Sequence, residues 1–197
     1  MLEQDRRRRA YRLAAPVLSL AHAMRSGSPV LTVAAPLMRS EAEKRKINVG
    51  LAVADREEMV YVESVRYSRR VSWRNVVAGQ RVPMELTSLG RAWLAAAPDE
   101  SRRALFERFR ARRRVGWRAL SREISAAIDD VHRDGFCWAA WQPQVVALAT
   151  PIAVTDHPVY VLNMSVSGAA APSEIVERLR APLLALAQRL RDAIAYL

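Results

Sequence analysis

The chain has 197 residues, enough for one domain or one domain with a short appendage, and 51% of them are hydrophobic, so a sizeable core is within reach. The net charge is +11, and Lys44 and Lys46 are the only lysines, so arginine carries it; such a chain suits nucleic acid, an acidic membrane face or an acidic partner. The lone Cys137 excludes an internal disulfide, no apolar run approaches the ~20 residues of a membrane span, and "MLEQDRRRRAYRL" leads into no signal-type segment, which together read as a soluble cytoplasmic protein.

Leu13 to Met24 spaces its apolar residues as a helix does. "RSGSP" ends it and starts a second helix, with Ser28 as N-cap, Pro29 in the first turn, an end near Lys46 and a kink at Pro36. The period then changes to that of strands. "INVGLAVA" (47–54) and "MVYVESV" (59–65) flank the polar turn "DREE", and "VSWRNVVAG" (71–79) reads as a third strand. Helices follow at 88–97, 99–110 and 118–133, the last closed by Gly135. "FCWAAW", "VVALATPIAV" and "VYVLNMSVS" read as strands, and Pro172 and Ser173 open a final helix with Pro182 as a second kink point. This order implies an α+β fold with a largely antiparallel sheet and helices on one face.

Motifs for catalysis are absent. The chain has no H-E-x-x-H, C-x-x-C, G-x-x-x-x-G-K-[ST] or G-x-S-x-G, and His22, His132 and His157 stand at no metal-ligand spacing. Cys137 sits in an apolar run without an identifiable base and reads as an inert buried thiol. No catalytic residue, metal or cofactor is expected. "RRALFERFRARRRVGWR" (102–118) holds eight arginines against Glu107 and reads first as a solvated face, second as a contact for phosphates. Residues 13–46 do not make a helix-turn-helix, because "PVLTVAAPLM" is too apolar for a groove-reading helix.

The helix that starts at Thr87 or Ser88 differs from the next one. The later helix carries Asp99 and Glu100 in its opening turn, whereas after Ser88 come only Leu89 and Gly90. A helix N-terminus without a local acid is a candidate anion site, against the plainer reading of a capped helix facing water. "VLNMSVSG" places Asn163, Ser165 and Ser167 on one strand face, and Trp138 and Trp141 lie near the small Ala147 and Ala149. Together these residues describe an apolar pocket with a few polar groups, the usual form of a small-molecule site.

In order and spacing, "AYRLAAPVLSLAHAM", "INVGLAVADREEMVYVESV", "VVAGQRVPMELTSLGRAWLAA", "HRDGF", "ALATPIAV" and "VLNMSVSG" resemble the isocitrate lyase regulator (IclR) family of bacterial transcription factors. The most specific element runs from Gly79 to Ala95, and the likeness extends from about residue 8 to the end. The resemblance implies a GAF-like effector-binding domain, with a curved antiparallel sheet and flanking helices. It implies that the N–H groups at Thr87, Ser88, Leu89 and Gly90 hold a ligand carboxylate, with Ser165 and Ser167 lining the pocket and Ala147 where some members carry Cys. Departures stand beside it. "WAAWQPQ" replaces an acidic segment, Glu85 replaces a common His and Arg91 a Lys, so with Trp138 and Trp141 near, the expected effector is a less polar or aromatic acid. The family's winged helix-turn-helix would precede the Tyr-Arg-Leu motif, and residues 1–12 match only the tail of that wing. The expected organisation is therefore a wing or linker remnant at 1–12, a linker helix at 13–27 and the effector domain at 28–197. Arg6, Arg7, Arg8 and Arg9 would lie near DNA phosphates, DNA being reached only through a domain missing from this chain.

The expectation is a small-molecule sensor that works as a homodimer or tetramer, without a membrane partner. Two alternatives stay open: a stand-alone partner-binding module, and a non-specific nucleic-acid binder using the arginine-rich face. An enzyme has the least support.

Overall fold

The computed structural model describes residues 2–5, 7–67 and 77–197. A two-stranded hairpin, β1 (Leu2–Asp5) and β2 (Ala10–Leu13), opens the chain, and helices α1 (Pro16–Ser26) and α2 (Pro29–Arg45) follow. Ser28 caps α2 by accepting from the Leu31 N–H, with Pro29 in the first turn and Lys46 closing the helix in the left-handed region. Strands β3 (Asn48–Asp55) and β4 (Glu58–Val65) form a hairpin whose turn puts Arg56 at φ 58°. The short β5 (Arg81–Pro83) leads to α3 (Ser88–Ala96), α4 (Asp99–Arg112) and α5 (Trp117–Asp134). Gly135, at φ 82°, ends α5, and β6 (Cys137–Gln142), β7 (Val145–Ile152), β8 (Tyr160–Ser167) and α6 (Pro172–Ala195) complete the chain. Of the strand expected at 71–79, residues 71–76 lie outside the described residues, and Ala78 and Gly79 form a turn into β5.

The six strands of the main sheet run β5-β4-β3-β8-β7-β6, and every neighbouring pair is antiparallel. Helices cover both faces of the sheet, which corrects the expectation of one. On one face α2 and α6 bury Met38, Leu183, Leu186 and Leu190 against Leu51, Leu148, Leu162 and Met164. On the other, α3, α4 and α5 bury Leu89, Phe109, Ile124 and Ile128 against Ala52, Met59, Ala149 and Val161. The signal was present in "VVALATPI" and "YVLNM", since strands buried on both faces lose the apolar–polar alternation of a half-solvated sheet. Size differs between the faces in β3 and β7: Leu51 and Leu148 back α2 and α6, and Ala52 and Ala149 lie on the α3 side.

α1 stands apart from this core, with none of its residues buried. Arg25, at its end, donates to the Val62 carbonyl at 2.7 Å and to Glu63 Oε2 at 2.6 Å, and so ties α1 to β4. No helix of the described residues is long and apolar enough to cross a membrane.

Candidate functional site

The strand register lays a floor of small and polar side chains on the α3 face. One row crosses the sheet as Cys137, Ala149, Asn163, Gly50 and Ser64, and the next as Ala139, Ala147, Ser165 and Asn48. Neighbouring strands lie ~4.8 Å apart, so short residues beside Asn163 leave its amide room. Two register irregularities shape the rim. β4 carries one extra residue between Tyr61 and Glu63, which brings Ser64 and Arg66 onto the same cleft as Tyr61; β6 carries one between Ala139 and Gln142, which sets Gln142 opposite Val145.

A cavity of about 50 Å³ opens on this floor, lined by Asn48, Gly50, Tyr61, Asn163, Ser165 and Ser167, with Ser64, Arg66, Gln142 and Val145 around it. Asn163 is 5% exposed and donates through Nδ2 to the Tyr61 hydroxyl at 3.4 Å. Burial pushes the Tyr61 phenol well above its ordinary 10, the Asn163 bond opposing the shift, so the hydroxyl stays protonated. Gly50 is required by this pair, because a Cβ there would stand 2.4 Å from Asn163 Oδ1 and 2.5 Å from Tyr61 Cε1. The buried oxygens Asn163 Oδ1 and Asn48 Oδ1 have no hydrogen-bond partner among the described residues. Arg66 makes no ion pair with any described residue.

The expected site residues fall into three groups. Asn163, Ser165 and Ser167 line the cavity, and Ala147 is part of its floor, between Ala139 and Ser165. Thr87, Ser88, Leu89 and Gly90 begin α3 over the same sheet face but do not line the cavity. Thr87 caps α3 by accepting from the Gly90 N–H at 3.2 Å, the Ser88 carbonyl accepts from the Cys137 thiol at 3.5 Å, and Leu89 is core. Among the described residues no hydrogen bond uses the N–H of Ser88 or Leu89. The tryptophans separate: Trp141 packs against the α3-side core, whereas Trp138 pairs with Leu148 on the opposite face and is 40% exposed. Asn48, Gly50, Tyr61, Ser64, Arg66 and Gln142 were missed by sequence reasoning.

Burial raises the Cys137 thiol to about 12, outweighing the nearby positive Arg91, which makes it unreactive at neutral pH. The arginine-rich run is largely matched by acids of its own fold. Glu85, fully buried, accepts from Arg112 at 3.1 Å and Arg113 at 3.0 Å, Glu57 pairs with Arg108 and Arg112, and Asp99 pairs with Arg102. Arg7, Arg8 and Arg9 form the exposed turn of the β1–β2 hairpin, and Arg6 lies outside the described residues. Among the described residues no group of three His, Cys, Asp or Glu comes together to hold a metal ion.

The family model described as bacterial transcriptional regulator IclR C-terminal matches residues 22–192. The chain belongs to the IclR family. An IclR-family transcriptional regulator from Brucella abortus superposes with a TM-score of 0.87 at 30% identity, over 98% of this chain and 73% of that one. The Pca regulon regulatory protein of Pseudomonas putida is 27% identical over 187 residues, 92% of this chain and 64% of that protein, so the chain spans under two thirds of that curated relative. An IclR homologue from Microbacterium hydrocarbonoxydans, complexed with 4-hydroxybenzoate, shares the fold at 22% identity and a TM-score of 0.69, over 97% of this chain and 80% of that one. The Brucella and Pseudomonas relatives are regulators by name, and the IclR chain here is an effector-binding domain of α+β architecture.

Proposed function

We propose that this IclR domain senses a small organic acid in the cleft between β3, β4, β7 and β8, and passes the event to a DNA-reading domain through α1. The observation that carries the reading is the buried, unpartnered polar floor at Asn163 and Asn48. A buried polar group left unpaired costs ~1–3 kcal/mol, so a fold retains such groups where a ligand or water completes them. Arg66, which lines the cleft and makes no ion pair with any described residue, favours an anion there. The same fold in the Microbacterium homologue carries an aromatic acid, which supports that ligand class.

β4 supplies the connection. Ser64 and Arg66 border the cavity, while Val62 and Glu63, between Tyr61 and Ser64, hold Arg25 of α1. An effector that draws Arg66 inward shifts the strand to which α1 is tied, and with it whatever precedes α1. The organisation that fits is a β1–β2 segment up to residue 12, the α1 linker at 13–27 and the sensing domain from 28 to 197. Leu13, Leu18, Leu20 and Met24 are exposed on and beside α1, an apolar surface suited to a second copy of the chain, hence a dimer or tetramer working in the cytoplasm. DNA contact belongs to the winged helix-turn-helix, with Arg7, Arg8 and Arg9 beside it.

The test is thermal unfolding against paired organic acids and their amides. A ligand at 100 times its dissociation constant adds ~2.7 kcal/mol, which for a domain this size is a rise of about 5–11 °C. A rise with an acid but not its amide supports the reading. No rise with any acid or amide, from protein that unfolds cooperatively, turns the assignment toward a partner-binding module.

A further inference from the structure

We propose that one end of the groove between α4 and α5, formed by Arg110, Arg114, Arg118 and Arg122, holds the phosphate backbone of DNA, adding a sequence-independent contact to that of the DNA-reading domain. The proposal stands whether or not the cleft senses an organic acid, because it uses exposed residues of other elements.

Three observations carry it. The first is unmatched charge. Residues 102–122 contain nine arginines and one acid, Glu107. Arg102, Arg108, Arg112 and Arg113 are engaged by Asp99, Glu57 and Glu85. Arg103, Arg114, Arg118 and Arg122 are exposed and pair with no described acid, and Arg110 meets Glu107 only at 4.0 Å. Glu123, next to Arg122 in sequence, is engaged by Arg91 of α3. The second is placement. Arg118, Arg122, Ser125 and Asp129 recur at i, i+4, i+7 and i+11, which is one stripe of α5. Ser125 and Asp129 line the groove with Phe106 and Glu107 of α4, so Arg118 and Arg122 continue the same stripe toward the α4–α5 loop. At that loop Glu107, Arg110, Ala111, Arg114 and Trp117 line an open hollow of about 370 Å³. The groove therefore has a mixed end, where Asp129 and His132 meet Arg102 and Arg103, and an arginine end, where Glu107 is the one described carboxylate lining the hollow. The third is the kind of surface. Guanidinium groups stay charged and make paired hydrogen bonds to phosphate oxygens. Trp117 is half-buried among them and held edge-on by Phe106 at 5.8 Å and 82°, a fixed ring of the sort on which sugars and bases pack. A chain of a transcriptional-regulator family works beside DNA, the densest polyanion within its reach.

The experiment is fluorescence anisotropy of a labelled DNA duplex of arbitrary sequence, titrated with the chain at two salt concentrations. Four neutralised phosphates make wild-type affinity fall roughly 100-fold between 50 and 200 mM salt. The triple variant Arg110→Gln, Arg114→Gln, Arg118→Gln should bind about tenfold or more weakly at the lower salt, and its affinity should fall only about fourfold over the same range. The same three positions changed to Lys should keep most of the affinity. A control triple, Arg178→Gln, Arg180→Gln, Arg189→Gln, removes as much charge from exposed positions of α6, across the sheet, and should bind as wild type does. Each variant is first shown to unfold at the wild-type temperature; should the triple fail to fold, Arg114→Glu, one change in the loop, must weaken binding several-fold instead. Equal losses in the two glutamine triples would overturn the proposal, since binding would then follow net charge and not this surface. So would a wild type that binds no duplex at the lower salt. Displacement of the duplex by poly-glutamate at equal charge concentration would also overturn it and assign the surface to an acidic protein.

Discussion

Replacing Gly90 by Ala separates the packing of α3 from its helix propensity, because the two effects have opposite signs. In an exposed helix interior, Gly→Ala gains up to about 1 kcal/mol. At Gly90 the added Cβ would stand 2.1 Å from the Met84 carbonyl oxygen and 2.3 Å from Met84 Cα, both backbone atoms of the turn that leads into α3. No rotamer change relieves such a contact, so α3 or the turn must shift. Overpacking in a tight interior costs ~1–3 kcal/mol, and a backbone obstruction belongs at the upper end, which leaves a net loss of about 2 kcal/mol after the propensity gain. At ~2–4 °C per kcal/mol for a domain this size, Gly90→Ala should lower the unfolding midpoint by about 4–8 °C in a calorimetric scan. An unchanged or raised midpoint would refute the close approach of α3 to Met84.

Thr87→Ala removes the N-cap bond to Gly90 and the hydroxyl's bond to the Pro83 carbonyl at 2.9 Å, and should cost about 1–2 kcal/mol in urea unfolding. Cys137, raised by burial from 9.0 to about 12, should resist iodoacetamide at pH 8 in the folded protein and react once the chain is unfolded in urea. The unfolded chain releases that proton first as pH rises. Its contribution to stability is therefore fully present below pH 9 and is lost up to pH 12, at no more than about 1.36 kcal/mol per pH unit; Cys137→Ser should flatten that part of a stability–pH curve. Glu63→Gln weakens the bond that holds Arg25, and should loosen α1, read as faster amide exchange at residues 16–26, while leaving exchange in β7 and β8 unchanged.

Most of the elements could be read from the sequence because their punctuation is local. Ser28 with Pro29, Thr87, Gly135 and Pro172 act through bonds or dihedrals a few residues away, and each begins or ends a helix where the pattern says. Asn163, Ser165 and Ser167 were legible for the same reason, since alternation along one unbroken strand puts them on one face. The rest of the cleft was hidden by the extra residues in β4 and β6. Each breaks the period of two, so no count along "MVYVESV" or "FCWAAW" assigns Arg66 and Gln142 to the face of Tyr61. Trp138 shows the converse: proximity in sequence to Trp141 says nothing of which face a strand residue takes, and it stands opposite. The lack of partners at Asn48 and Asn163 depends on strands distant in sequence and needed coordinates.

The most direct test of the account is where an effector binds. Nitrogen-15 correlation spectra of the chain, recorded with and without the organic acid that most raises its unfolding temperature, locate it residue by residue. The cleft reading predicts the largest shifts at the Gly50 and Ser165 amides and the Asn163 side-chain NH2, with smaller ones at Arg25. Shifts confined to the wider groove between α4 and α5, at Phe106, Ile128 and His132, would contradict it and move the sensing site to the other side of those helices.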